Sequence, residues 1–257
     1  AAQNAQMLSE DQPVERVSAK ALSGVDFLRK YAEQNQPVIL TEALDGWRAY
    51  HTWRDQTRPN FPHLLEAFAG LEVPVTDCSL SNAGYGEVVS STMQAQEFVE
   101  YVLAFEQSDC RNATSESKLL YLKDWHIARS IADLYDPPGY LAHPLHDWLN
   151  LYKDSQCNED DFRFCYFGVA GTFTPLHHDV LLSYSWSANI FGEKRWVLYP
   201  PDSTPWLKDH RGEVPSSADP MRRPDGWPER FPHLNEAWES RVEFLQLAGE
   251  IVFVPRD

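Results

Sequence analysis

The feature that most constrains this chain is a change of character at Leu119. From there on it is built of short apolar runs of strand length, at 119–123, 162–169, 184–191, 195–199, 242–247 and 250–254. Before it, helical patterns dominate. Ser23 is placed to cap a helix over 24–35 that carries Asp26 in its first turn, with Pro37 beyond its end. Phe61 to Ala69 and Ala95 to Phe105 read as further helices, and Val38 to Leu40 and Glu72 to Val75 as short strands. Short helical pieces are expected near 125–134 and 144–152, and Ser108 to Ser117 reads as a polar loop. Helices first and strands later predict an α+β fold, with a helical flank on a barrel or double-sheet core. At 257 residues and 43% hydrophobic content, the chain can form one large domain or two small ones.

Charge and cysteine content exclude several classes. The formal charge of −16 argues against direct nucleic-acid binding, which needs clustered lysine and arginine, and suits a basic protein partner. No apolar run is long enough to span a bilayer, and the first residues, AAQNAQMLSEDQ, lack the pattern of a signal peptide. Cys78, Cys110, Cys157 and Cys165 form no CxxC pair, so thiols in a reducing compartment are expected rather than a disulfide framework or a zinc site. Asn112-Ala113-Thr114 reads as a chance glycosylation triplet.

The chemistry concentrates in residues 174–201, TPLHHDVLLSYSWSANIFGEKRWVLYPP. In an extended backbone His177 and Asp179, two apart, face the same side while His178 faces away. One imidazole and one carboxylate make two-thirds of the 2-His-1-carboxylate set that holds Fe(II) with positions left open. Past Gly192, strand alternation puts Lys194 and Arg195 on opposite faces; a compact ammonium inside an apolar pocket is a sensible anchor for a diacid. Tyr121 and Thr174 offer hydroxyls, and Ser187 and Asn189 share one face. Asp124, Trp125 and Trp186 are candidates for the substrate entrance, with packing the competing reading for the two tryptophans.

This stretch, together with LYLKDWH at 120–126, HDWLN at 146–150, DFRFCYFGVAGTFTP, the entry segments FLRKY and PVIL, and GEIVFVP at 249–255, resembles the JmjC family of 2-oxoglutarate-dependent oxygenases. The resemblance runs from about residue 20 to the end of the sequence. It implies a double-stranded β-helix (jelly roll, cupin-like) with an N-terminal helical flank. It implies His177 and Asp179 as iron ligands and catalytic centre, and Lys194, Thr174, Tyr121, Ser187 and Asn189 as residues that bind 2-oxoglutarate or line its pocket. Fe(II), 2-oxoglutarate and dioxygen are the implied cofactors. A lysine side chain on a translation-related protein is the implied substrate, hydroxylated at a C–H bond in the cytoplasm, with the nucleus as alternative. On this basis residues 1–18 are a tail, 19–117 the helical part, and 118–257 the β core, interrupted by a proline-rich insertion at 200–232 that is either a substrate flap or a solvated loop.

The family's second histidine follows the FVP-type strand, whereas here the sequence reads Phe253-Val254-Pro255-Arg256-Asp257. His210 and His233 do not match its position. The expectation is therefore a barrel lacking its last strands and a chain that is inactive or nearly so as written, from an active parent. Rival readings are an N-methyl-lysine demethylase, a non-catalytic protein-binding module on a degenerate barrel, and a cupin using another metal.

Overall fold

A computed structural model describes residues 14–79, 90–108, 118–142, 146–156, 161–223 and 226–256. Cys110, Cys157, the 112–114 triplet, most of the Ser108–Ser117 loop and residues 1–13 lie outside them. Twelve strands occur among the described residues: β1 Arg16–Ser18, β2 Val38–Thr41, β3 Arg54–Asp55, β4 Arg58–Pro59, β5 Glu72–Asp77, β6 Ser90–Gln94, β7 Leu120–Trp125, β8 Cys165–Gly168, β9 Ser185–Ala188, β10 Lys194–Leu198, β11 Val242–Gln246 and β12 Ile251–Val254. The chain divides into two compact units, Ala1–Ala43 with Leu176–Asp257, and Leu44–Pro175.

In the first unit a four-stranded sheet runs β1-β2-β12-β9, and β10 pairs antiparallel with β11. The two sheets face each other. Val14, Ile39 and Val252 form a buried cluster against which Trp196, Val242, Phe244 and Val254 pack. On the other side of the sheet Phe253 meets Phe27 edge-on, ring centroids 4.9 Å apart. The helix expected over 24–35 is capped by Ser23 as predicted but is not a regular helix. One α turn, Gly24–Phe27, passes into a π turn, Leu28–Ala32, closed by the Glu33 N–H on the Leu28 carbonyl. Phe27 and Tyr31, four residues apart, both reach the core, where Tyr31 donates to Glu15 at 2.7 Å.

The second unit holds the sheet β6-β5-β7-β8, antiparallel throughout, and the small β3-β4 pair. The helices Phe61–Ala67 and Ala95–Gln107 form close to where the sequence places them. Phe68 and Phe98 are fully buried; Trp53 and Trp125 each meet Phe68 edge-on, and Phe98 meets Phe167 in the same way.

The insertion at 200–232 is not a solvated loop. Together with the helix Leu234–Glu239 it builds its own core from Leu207, Ala218, Trp227, Phe231, Leu234 and Ala237. Prolines start its short helical turns at Pro201–Ser203, Thr204–Leu207 and Trp227–Arg230, where a missing N–H costs nothing. Asp209 clamps it. This buried carboxylate takes the Arg230 guanidinium at 2.7 Å and the N–H groups of Arg211 and Glu213 at 2.8 and 2.9 Å. Burial alone would raise its pKa, but the Glu213 N–H, the Arg230 guanidinium and the Arg211 N–H outweigh that and hold it at about 2.

Candidate metal and cosubstrate site

His177 and Asp179 lie on extended chain just before the turn at Val180–Leu182. His177 Nε2 and Asp179 Oδ1 come within 3.9 Å, so the two donors converge as their spacing predicts. Bonds of about 2.1 Å at a right angle put two donors about 3 Å apart, so a small contraction brings both onto one ion. The other carboxylate oxygen, Oδ2, accepts from Ser185 Oγ at 2.5 Å, which fixes the plane of the carboxylate and leaves Oδ1 toward the imidazole. This donor set fits a first-row divalent metal. Among the described residues no group of three His, Cys, Asp or Glu side chains is gathered as a metal cluster. His210 and His233 therefore do not complete the pair.

Straight after the pair, Leu181 and Leu182 take φ of 55° and 54°. Left-handed backbone costs a leucine about 1–2 kcal/mol, and both side chains are exposed.

Lys194 is half-buried at the start of β10, and its ammonium donates to Ser187 Oγ at 2.9 Å. It also lies 4.8 Å from the Trp196 ring centroid, a cation–π contact. Arg195, on the opposite face, pairs instead with Glu243 and Asp219. Ser185 and Ser187 share one face of β9, two residues or roughly 7 Å apart. One serine thus holds the Asp179 carboxylate and the other the Lys194 ammonium. Directly opposite Ser187 stands Val252, which packs toward Trp196, so this face of β9 lies between the two sheets.

Asn189 does something different. It is buried, and its amide nitrogen donates to the Gly192 and Gln246 carbonyls at 2.9 and 3.4 Å. Its backbone bonds Glu250 O and Gly249 N. The side chain braces the turn that carries Lys194, instead of lining a pocket with its amide hydrogens. Gln246 is fully buried beside it. It accepts from Trp196 Nε1 at 2.8 Å and donates to the carbonyls of Ser187 and Glu250 at 2.7 and 2.9 Å.

Tyr121 and Thr174 belong to the second unit, where the Thr174 hydroxyl acts electrostatically on the Tyr121 phenol. Burial pushes the Tyr121 phenol up to about 12 even though the Thr174 contact lowers it, so it stays a proton donor at neutral pH. Trp125 is packed against Phe68, as its packing reading requires. Sequence reasoning missed Ser185, Trp196 and Gln246. Strand alternation offers a signal for the first two, because Trp196 is two residues from Lys194 and Ser185 two from Ser187. Gln246 reaches the site only through pairing of β10 with β11.

The cupin-like domain model matches residues 25–256. The chain belongs to the cupin-like domain family. Its curated relatives narrow the comparison. It is 40% identical over 238 residues to the 2-oxoglutarate and iron-dependent oxygenase JMJD4 of Gallus gallus, covering 90% of this chain and 52% of that protein. It is 34% identical over 239 residues to the Homo sapiens protein of the same name, covering 91% and 54%. It is also 34% identical over 261 residues to the arginine-specific demethylase JMJ20 of Arabidopsis thaliana, covering 94% and 52%. The chain thus spans about half the length of the relatives it matches. The α+β, cupin-like architecture expected from the sequence is the one found.

Proposed function

We propose that this cupin-like chain is the iron- and 2-oxoglutarate-binding part of an oxygenase that hydroxylates a protein side chain. The finer reading is a lysine on a translation-related protein. The observation that carries the proposal is the shared face of β9, with Asp179 and His177 gathered at Ser185 and the Lys194 ammonium at Ser187. The separation of the two serines along the strand is of the order of the length of 2-oxoglutarate. In this reading His177 Nε2 and Asp179 Oδ1 hold Fe(II), and Lys194 pairs with the distal carboxylate of the cosubstrate. When bound, iron and 2-oxoglutarate would activate dioxygen, one atom of which enters a substrate C–H bond while the other enters succinate as 2-oxoglutarate loses carbon dioxide.

The chain's own residues do the rest. Ser185 keeps one carboxylate oxygen occupied, so the other is presented to the metal in a fixed orientation. Trp196 holds the ammonium by its ring, and the buried Gln246 holds the indole. Val252 and the Trp196 ring between the two sheets shield Lys194 in part from water, which strengthens its pairing with a carboxylate. Tyr121 and Thr174 are proposed, within their own unit, as hydroxyl donors to a carboxylate.

A second reading, demethylation, is favoured by the similarity to a protein named as an arginine-specific demethylase. Titrating Mn(II), then 2-oxoglutarate, while following metal resonance and tryptophan fluorescence tests the site without turnover. Saturable binding of both is expected; failure of 2-oxoglutarate to bind the metal-loaded chain sinks the proposal. Peptide mass then separates the readings, because hydroxylation adds one oxygen atom and demethylation removes one methylene.

A further inference from the structure

Strand β7 does not pair evenly with β8. Its register shifts between Leu122 and Trp125, and Asp124, at the shift, has φ 61°. Such bulges turn a side chain out of the regular alternation and recur beside binding sites. Here the turned side chain is a carboxylate left 50% exposed. Tyr166 donates its hydroxyl to Asp124 Oδ1 at 2.8 Å. The Tyr166 ring lies 6.3 Å from Phe164 and 6.1 Å from Tyr121, centroid to centroid. Phe164 and Tyr166 are both exposed on the side of β8, which is an edge strand of its sheet. All of these residues belong to the second unit.

The result is a pair of exposed aromatic rings, Phe164 and Tyr166, with the buried Tyr121 beside Tyr166 and a carboxylate bonded to the Tyr166 hydroxyl. An acid alone attracts any cation, and rings alone attract any apolar group. Together they suit a side chain that is apolar along its stem and positive at its tip, with methylenes on the rings and the ammonium at the carboxylate. Lys123 demonstrates the fit, since its own Nζ lies 3.1 Å from Asp124 Oδ2. Lys123 is half-buried and Asp124 exposed, and an ion pair between sequence neighbours at a surface contributes little, so an incoming ammonium can take its place.

We infer that Asp124, Tyr166 and Phe164 form a recognition strip for a lysine presented by a basic segment of a partner protein. The net charge of −16 draws such a segment in. The inference deepens the proposed function by assigning residues to capture of a basic protein substrate, and rests on that reading only for calling the partner a substrate.

The test uses the full chain and a fluorescent oligolysine peptide at about 0.15 M salt, where exposed charges beyond about 8 Å are screened. Anisotropy titrations compare the parent chain with D124N, F164A and D55N. Asn keeps the size of Asp and tolerates the left-handed backbone. Asp55 is an exposed acid of the same unit, outside the strip. D124N and F164A are expected to bind about tenfold more weakly, and D55N within about twofold of the parent. Lysine-acetylated peptide should lose as much on the parent chain as oligolysine loses on D124N. Equal losses for D124N and D55N would show general charge attraction and overturn the inference, as would unchanged binding by both strip variants. Self-association of the parent that D124N abolishes, seen in sedimentation, would assign the strip to a second copy and also overturn it. The 2-oxoglutarate titration on the same proteins is independent. If the cosubstrate binds but the lysine discrimination fails, only the strip is wrong. If lysine discrimination holds without cosubstrate binding, the strip stands and the oxygenase reading falls.

Discussion

At the scale of single residues, the site rests on a few donor atoms with separable roles. Removing a proposed metal ligand, His177 or Asp179, should do more than removing its support. Outer contacts to a metal ligand are worth about 10–100-fold in affinity. S185A is therefore expected to weaken Mn(II) binding about tenfold, and H177A or D179A by more, in a metal-resonance titration. Replacing Lys194 by methionine keeps most of the stem and removes the ammonium. A lost charged partner costs about 1.5–3 kcal/mol, so 2-oxoglutarate affinity should fall by roughly ten- to a hundredfold by fluorescence. What was legible here was local. The HxD spacing and the Lys194/Arg195 alternation follow from backbone geometry alone, and the structure obeys both. The brace role of Asn189 and the reach of Gln246 were not legible. Both depend on which strand lies beside which, and that is a property of the sheets rather than of the residues.

At the scale of elements, the insertion and β8 give the sharpest tests. Asp209 has a folded-state pKa of about 2, below its ordinary value of 3.8. A depressed carboxylate contributes stability that is present above the unfolded pKa and lost as pH falls through the folded one. The urea midpoint of the parent should exceed that of D209N by a constant margin above about pH 5, with the margin closing between roughly pH 4 and 2. Phe231 is 1% exposed in the insertion's core. F231A should cost about 3–5 kcal/mol in thermal or urea unfolding, with proteolytic cleavage appearing first within the insertion. In β8, a Cβ on Gly168 would stand 2.7 Å from the Tyr121 ring and collide with the Thr172 side chain. G168A should therefore displace Tyr121 and lower stability, visible as a changed near-ultraviolet tyrosine signal. Element types were readable because strand-length apolar runs and capped helical stretches carry their own periodicity. The π turn at Leu28–Ala32 was not, because its extra residue leaves the spacing of Phe27 and Tyr31 unchanged. The insertion's core escaped notice because its apolar residues are spread among prolines and follow no period.

At the scale of the molecule, the shift from helices to strands along the chain correctly indicated α+β architecture, while the first edge strand went unseen. Three residues, Arg16–Ser18, carry too little pattern to announce a strand. They run parallel to β2, Arg16 opposite Ile39, and Val14 just before them enters the core between the sheets. The cupin-like match starts only at residue 25. Anyone trimming a gene to that boundary would therefore produce a domain with a raw border along β2, its peptide groups bare and its interior missing a valine. Such margins invite neighbouring molecules to stitch themselves on.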